Sequence, residues 1–397
     1  MKSNIILSGG WGYGNLGDDA ILLSSIKLVQ EKKPNHNIFV ITNNPIEVYP
    51  ILMEHPNLHL IESIYKNIFG DKRTIYPSVK NLLRQNISKK IHNVFKKNKN
   101  KITQLIKSPN SFIKQYNDII KPFESLCESS EVYLMSGGGY INNWTEMGII
   151  KFIEVYIASK KGLRCYMLGQ TIGPFKNIYN FNLAKSICSL MQKIYYRDVE
   201  SIKDGKRMGI SCEIIPDLAL SEELHFGKQN KITIIPFNKK IVDNIDVFTE
   251  NIKQIAELAD NAKVIITVSQ LWYAAINIAV FIYSSLLQNN VHAEIVIPSN
   301  VIELQKILGE SKLVISQNLH GLILAYRSHT PIISLNSSRK FISFMEMTGN
   351  PDLIIEPDNI TNKELVDLSK RAFSSSFCNN ISSLREEIVK KFETFFN

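Results

Sequence analysis

The stretch Asn4-Ile5-Ile6-Leu7-Ser8-Gly9-Gly10-Trp11-Gly12-Tyr13-Gly14-Asn15-Leu16-Gly17-Asp18-Asp19 decides the fold class. Residues 4–8 form a short apolar run, the pattern of a strand buried on both faces of a parallel sheet. Glycines follow where that strand ends, and helical spacing sets in at Asp19 and continues to Lys33. A strand that empties into a glycine-rich loop and then a helix offers bare backbone amides and the positive end of a helix dipole to an anion. Gly12, Gly14 and Gly17 have the spacing of a dinucleotide loop, a weak signal on its own. The next strand, 38–42, ends in Asn43-Asn44, where an NAD-binding fold needs an acidic residue for the ribose, so NAD is rejected. Asp18 reads either as a helix N-cap or as a substrate contact.

The same alternation extends outward. Strands are read at 131–135, 164–168, 193–196 and 212–215, and the first two run into Ser136-Gly137-Gly138-Gly139 and Gly169-Gln170-Thr171-Ile172-Gly173-Pro174. Open α/β sheets bind ligands at such carboxyl ends. A polar stretch, 221–230, precedes a second series at 232–235, 264–268, 293–297, 313–316 and 332–335, again with helical patterns between them. The expected architecture is therefore α/β, with two doubly wound, Rossmann-like parallel-sheet domains facing a cleft. The domains are set at 1–222 and 223–397, with a basic helical insert in the first at about 72–125 and the last helix a candidate for packing back on the first domain.

Composition agrees with two domains, since 397 residues exceed what one core usually holds while 44% hydrophobic and 21% charged residues are ordinary for a globular chain. Cys127, Cys165, Cys188, Cys212 and Cys378 are scattered and odd in number, which fits free thiols in a reducing compartment. The apolar run before Gly9 is too short for a signal peptide, so a cytoplasmic location is expected, with the inner face of the membrane as one option. Residues 264–287 carry no charge and are long enough to cross a bilayer, but they read as a β-branched strand followed by a helix rich in Ala, Leu and aromatics. The net charge of +9 is concentrated, because residues 72–117 hold twelve Lys/Arg and no acid. Val79, Leu82, Leu83, Ile87, Ile91, Val94 and Phe95 recur there at helical spacing. Such a helix either touches an anionic membrane or an acidic polymer through the cations between Lys72 and Lys114 or packs its apolar stripe on the domain with its charges solvated. No nucleic-acid module surrounds it, and a nucleic-acid partner is not expected.

The second constellation is Ser316-Gln317-Asn318-Leu319-His320-Gly321, at the end of one strand and the start of a helix. A histidine at a sheet's carboxyl edge can face a ligand, which raises His320 above the other seven. Lys340, after the strand 332–335, approaches the same edge, and Arg197 approaches from the other domain. An Arg, a His and a Lys meeting in one cleft suit a small molecule with both a carboxylate and a phosphate. No H-x-x-x-H, H-E-x-x-H or clustered Cys/His spacing points to a metal, and neither a Gly-x-Ser-x-Gly elbow nor a P-loop is present.

Taken in order, Gly14-Asn15-Leu16-Gly17-Asp18-Asp19-Ala20, Ser136-Gly137-Gly138-Gly139, Gly169 to Pro174, Arg197-Asp198-Val199-Glu200-Ser201, Pro216-Asp217 and Ser316 to Gly321 resemble the polysaccharide pyruvyl transferase family. The resemblance implies a GT-B-like fold and transfer of the pyruvyl unit of phosphoenolpyruvate to two saccharide hydroxyls as a cyclic ketal, with phosphoenolpyruvate as donor substrate and no cofactor. It implies functional roles for Asp18, Arg197, His320 and Lys340, with His320 as general acid or base, Arg197 and Lys340 binding the donor's carboxylate and phosphate and stabilising phosphate departure, and Asp18 accepting a proton from, or orienting, an acceptor hydroxyl. Gly14, Asn15, Gly137, Gly138, Gln170, Ser316 and Asn318 are the associated substrate-binding candidates. The saccharide acceptor is expected to be free or polyprenyl-linked. The family usually shows Ser-x-Arg-x-His where this chain has Asn318 in place of the arginine, with Arg327 or Arg339 as possible substitutes. The alternatives are a nucleotide-sugar glycosyltransferase of GT-B type and a non-catalytic saccharide- or membrane-binding relative.

Overall fold

A computed structural model describes residues 4–42, 44–52, 57–63, 106–143, 145–361, 363–374, 377 and 379–396. Its first sheet contains β1 (Asn4–Ser8), β2 (Asn37–Thr42), β3 (Leu58–Glu62), β4 (Ser130–Ser136), β5 (Arg164–Gln170), β6 (Lys193–Tyr196) and β7 (Glu213–Ile214). These lie in the order β3-β2-β1-β4-β5-β6-β7, with every neighbouring pair parallel. Ile6 stands opposite Phe39 on one side and Tyr133 on the other, so the central strand is buried as its apolar run predicts. Strand order reverses between β1 and β4, which opens a crevice at Ser8 and Ser136, where the two glycine loops begin. β3 is absent from the sequence reading. It is an edge strand of mixed polarity, Leu-His-Leu-Ile-Glu, only partly buried, and it lacks the dense β-branched run that marks the central strands.

The second sheet contains β8 (Lys231–Ile235), β9 (Lys263–Thr267), β10 (Ala293–Val296), β11 (Leu313–Ser316) and β12 (Ile332–Ser334), parallel in the order β10-β9-β8-β11-β12. Its reversal falls between β8 and β11. The uncharged run 264–287 resolves into β9 and the helix Tyr273–Gln288, and no described helix is long and apolar enough to cross a membrane.

Two compact units emerge, each with one sheet. The first comprises Met1–Tyr13 with Val29–Ile214, and the second Gly14–Leu28 with Ile215–Asn397. The division thus falls at 214/215, eight residues before the sequence-based boundary, and the start of the helix Leu16–Lys32 belongs to the second unit. Backbone stitching explains why. The Leu16 amide donates to the Ser269 carbonyl at 3.0 Å, Leu271 donates to the Gly14 carbonyl at 2.7 Å, and Asn15 pairs antiparallel with Gln270. The last helix, Ile381–Glu393, buries Ile381, Leu384, Ile388 and Phe392 and packs on the turn Leu218–Leu220 within the second unit. Of the basic insert, the described part is the helices Pro109–Gln115 and Asn117–Ser129. The second of these inserts Ile120, Phe123, Leu126 and Cys127 into the core. The stripe from Val79 to Phe95 and the cations from Lys72 to Lys101 lie outside the described residues.

Candidate active site

In the second unit, β11 ends at Ser316 and the chain turns at once into the helix Leu319–Tyr326. That helix needs acceptors for its first amides, and the Asn318 side-chain oxygen receives them from His320 at 3.0 Å and Gly321 at 3.2 Å. An arginine has no acceptor and could not cap this helix, so the change from the family's usual residue turns a cation into a cap. The Ser316 hydroxyl accepts from the Asn318 amide at 2.9 Å and tightens the same turn. A side chain at Gly321 would meet Ile235 Cδ1 at 2.5 Å and Ser316 Oγ at 2.7 Å, so glycine lets the helix seat against β8 and β11 without displacing either. Gln317 bridges the crevice at the reversal, accepting from the amides of Phe237 (2.8 Å) and Asn238 (3.1 Å) and donating to Asn238 Oδ1 (3.0 Å).

This turn presents His320, which is 7% exposed. Its ring lies on Gly17, where an added Cβ would be 1.9 Å from Nδ1. Asp217 Oδ2 stands 3.9 Å from Nε2, an ion-pair distance longer than a hydrogen bond. Asp217 is itself fixed, because its Oδ1 accepts from the Ala219 amide at 3.0 Å. The imidazole therefore has a glycine beneath it and a buried carboxylate beside it, an arrangement suited to proton transfer by an oriented ring. Arg327 does not replace the missing arginine. Its Nε donates to Gln305 Oε1 at 2.6 Å and Nη1 to the Ala219 carbonyl at 2.9 Å, with Glu222 Oε2 at 3.8 Å. Burial pushes its pKa down to about 10, against the opposing pull of Glu222 and Asp217. It closes the far end of the helix and braces the segment that carries Asp217.

Asp18 is not the N-cap. The helix starts at Leu16, Asn15 takes the capping position by accepting from the Gly17 amide at 3.2 Å, and Asp18 sits in the first turn with its Oδ2 accepting from Asn15 Nδ2 at 2.7 Å. Gly14, with φ of +70°, lies against Leu271 and Trp272. Lys340 follows β12, whose end is joined to that of β11 by the Leu335 amide donating to the Ser316 carbonyl at 2.9 Å. Its side chain is exposed, and its ammonium sits 5.6 Å from the centroid of Phe341.

In the first unit, the loops after β4 and β5 hold each other. Gly137 and Gly138 both have positive φ, the Thr171 amide donates to the Gly138 carbonyl at 2.9 Å, and Gln170 Nε2 donates to the Gly137 carbonyl and to Tyr140 Oη. Gln170 is fully buried, so it acts here as a tie between loops, and its Oε1 has no partner among the described residues. Arg197 follows β6. Its Nε donates to Thr171 Oγ1 at 2.9 Å, and that hydroxyl donates to Asp198 Oδ2 at 2.7 Å, while Asp198 caps the helix Val199–Arg207. The guanidinium lies beside Gly139, where a Cβ would stand 3.7 Å from Nη2, an ordinary contact. The loop after β1 is filled by the chain itself: Trp11 folds over Gly9 and its Nε1 donates to the Ile41 carbonyl at 3.0 Å. Asn44, read from sequence as a missing ribose ligand, donates to the Gly12 carbonyl at 3.0 Å.

One group escaped the sequence reading. Lys151 and Glu154, 2% and 1% exposed, pair at 3.2 Å inside the first unit. Ser8 donates to Glu154 at 2.5 Å and accepts from Lys151 at 2.5 Å, Tyr133 donates to the same carboxylate at 2.9 Å, and Ser63 donates at 3.2 Å. Burial drives the Lys151 pKa down, and Glu154 opposes it; burial and then Glu154 push the Tyr133 pKa up. The cluster fixes Ser8 at the crevice between β1 and β4. The signal was available as Lys-x-x-Glu in the otherwise apolar helix Thr145–Lys160, two charges on a face that must be buried.

The sequence profile of the family described as polysaccharide pyruvyl transferase matches residues 15–339. The chain belongs to the polysaccharide pyruvyl transferase family. Comparison with curated protein sequences gives no match. Among solved structures, the UDP-GlcNAc 2-epimerase of Methanocaldococcus jannaschii is similar with a TM-score of 0.60 at 12% identity, covering 99% of both chains. The Neisseria meningitidis UDP-GlcNAc 2-epimerase bound to UDP-GlcNAc gives 0.58 at 11%, again over 99% of each. The Anabaena protein HepE in complex with UDP and glucose gives 0.55 at 8%, over 99% of this chain and 98% of its own. At these identities the likeness carries the GT-B-type fold expected from sequence, and nothing of substrate.

Proposed function

We propose that this pyruvyl transferase moves the pyruvyl unit of phosphoenolpyruvate onto two hydroxyls of a saccharide and forms a cyclic ketal. The observation that supports it is His320, oriented on Gly17 with Asp217 beside Nε2, at the carboxyl end of β11 in a chain of this family. Protonation of the donor's terminal carbon turns CH2 into CH3 and makes the adjacent carbon electrophilic. One hydroxyl adds there, the C–O bond to phosphate breaks, and the second hydroxyl closes the ring. Of the two protons the hydroxyls lose, one balances the new C–H bond and the other leaves on hydrogen phosphate. His320 carries these protons as general acid and base. Asp217 stabilises the charged form of the ring, a role that sequence spacing did not assign. Arg197 and Lys340 are the cations for the donor's carboxylate and phosphate, and Asp18 orients the acceptor. The acceptor sugar, free or polyprenyl-linked, is part of the proposal, as is any membrane contact through the basic segment.

The test separates donor from acceptor. Phosphoenolpyruvate alone should raise the melting temperature of the wild type and fail to do so for Arg197→Ala, whereas UDP should have no effect. A shift with UDP and none with phosphoenolpyruvate replaces this reading with a nucleotide-sugar glycosyltransferase. With a panel of saccharides, phosphate release should vanish in His320→Ala, and undiminished turnover there removes His320 from the chemistry.

A further inference from the structure

A second cluster of chemistry-bearing side chains lies at the other end of the His320 helix. After Tyr326 the chain turns through Arg327 to His329, and Leu224 donates its amide to the Arg327 carbonyl at 3.0 Å. That bond brings the segment containing Glu223 and His225 alongside His329. Glu223 Oε1 is 2.7 Å from His329 Nε2 and 4.0 Å from His225 Nε2, and the ligand atoms of all three residues lie within 4.8 Å of one another. The two imidazoles are stacked, with centroids 4.8 Å apart and planes 14° from parallel.

We propose that Glu223, His225 and His329 bind a divalent late first-row transition ion, with zinc as the test case. Two imidazole nitrogens and one carboxylate oxygen are a borderline donor set that suits Zn2+, Co2+ or Ni2+ and does not suit Mg2+ or Ca2+, which take oxygen ligands. Tetrahedral bonds of about 2.1 Å hold ligand atoms roughly 3.4 Å apart, and lone pairs in parallel ring planes do not meet, so closure requires one imidazole to turn out of the stack as it approaches. The residue free to do so is His225, whose side chain is 76% exposed. The carboxylate is already oriented from outside the triad, because Ser382 donates to its other oxygen at 3.1 Å, as ligating carboxylates commonly are. His329 has φ of +55°, an uncommon conformation for a residue with a side chain. Three ligands leave positions for water. Linear motif spacing misses the site because its two histidines come from separate segments. A bound ion would join the segment before β8, the turn after the His320 helix and, through Ser382, the last helix.

The full chain, stripped with chelator, is titrated with Zn2+ by calorimetry and with Co2+ by visible absorption, with Mg2+ as control. One saturable equivalent of Zn2+ is expected, with a rise in melting temperature, and Co2+ should develop the intense visible bands of a low-coordinate site. His225→Ala is on an exposed side chain and keeps the fold, which circular dichroism checks. It and Glu223→Gln should each weaken binding at least tenfold and remove the thermal shift, while Ser382→Ala weakens it less. Absence of a saturable equivalent, equal binding of Mg2+, or unchanged Zn2+ affinity in both His225→Ala and Glu223→Gln each overturns the proposal.

Discussion

Gly17 and His320 come from opposite ends of the sequence, yet the ring of one occupies the space where the other would carry a side chain. Gly17→Ala therefore forces the imidazole aside. Overpacking of this kind typically costs about 1–3 kcal/mol of stability, and the displaced ring should lower kcat at least tenfold, measured as phosphate release against the wild type. Equal turnover would mean that the ring position on Gly17 does not matter to catalysis. Asn318 gives a second handle. Its removal as Asn318→Ala withdraws the acceptor for two helix amides and should reduce stability by about 1 kcal/mol in urea unfolding. Asn318→Arg should lose the cap to the same extent and, if the family's usual cation serves the donor, tighten phosphoenolpyruvate binding. Both positions were legible in the sequence as members of ordered motifs. Their roles were not, because a cap and a ring contact are properties of which atoms meet, and residue order alone does not show that.

Strands buried on both faces declare themselves, and so β1, β4, β5, β8, β9 and β11 were readable to within a residue or two of their ends. The edge strand β3 was not, and neither was the start of the first helix, where Asn15 rather than Asp18 makes the cap. The helix Thr145–Lys160 shows a different gap: its interior charges form the Lys151–Glu154 pair that holds Ser8. Lys151→Met leaves a buried carboxylate without its cation, and Glu154→Gln leaves a buried ammonium. Each single change should cost about 3–5 kcal/mol in denaturant unfolding, whereas the double change to Met and Gln should cost clearly less than the sum of the two. Additive losses would show that the two groups are not coupled.

Cys165 and Cys188 lie inside the first unit, where burial pushes their thiols from 9.0 up to about 12. Between those values the unfolded chain loses protons that the folded one keeps, so stability is fully present below pH 9 and falls as pH rises toward 12. Melting temperature measured from pH 8 to 11 should decline, and Cys165→Ala with Cys188→Ala should flatten that slope; an unchanged slope assigns it to other groups. Both thiols should also resist alkylation at pH 8 until the protein unfolds. The second unit is built from two pieces of chain, and a fragment of residues 215–397 lacks the piece that carries Gly17. It should unfold at lower urea than the same fragment with residues 14–28 grafted through a flexible linker, and equal midpoints would show that the first piece contributes nothing. The order of synthesis adds a demand of its own. At about 5–20 residues per second, the ribosome releases residues 14–28 roughly 10–40 s before it begins the sheet they belong to. During that interval the nascent polypeptide already carries Leu16, Ile21, Leu22 and Ile26, all buried in the finished protein, well ahead of most of the unit to which they belong.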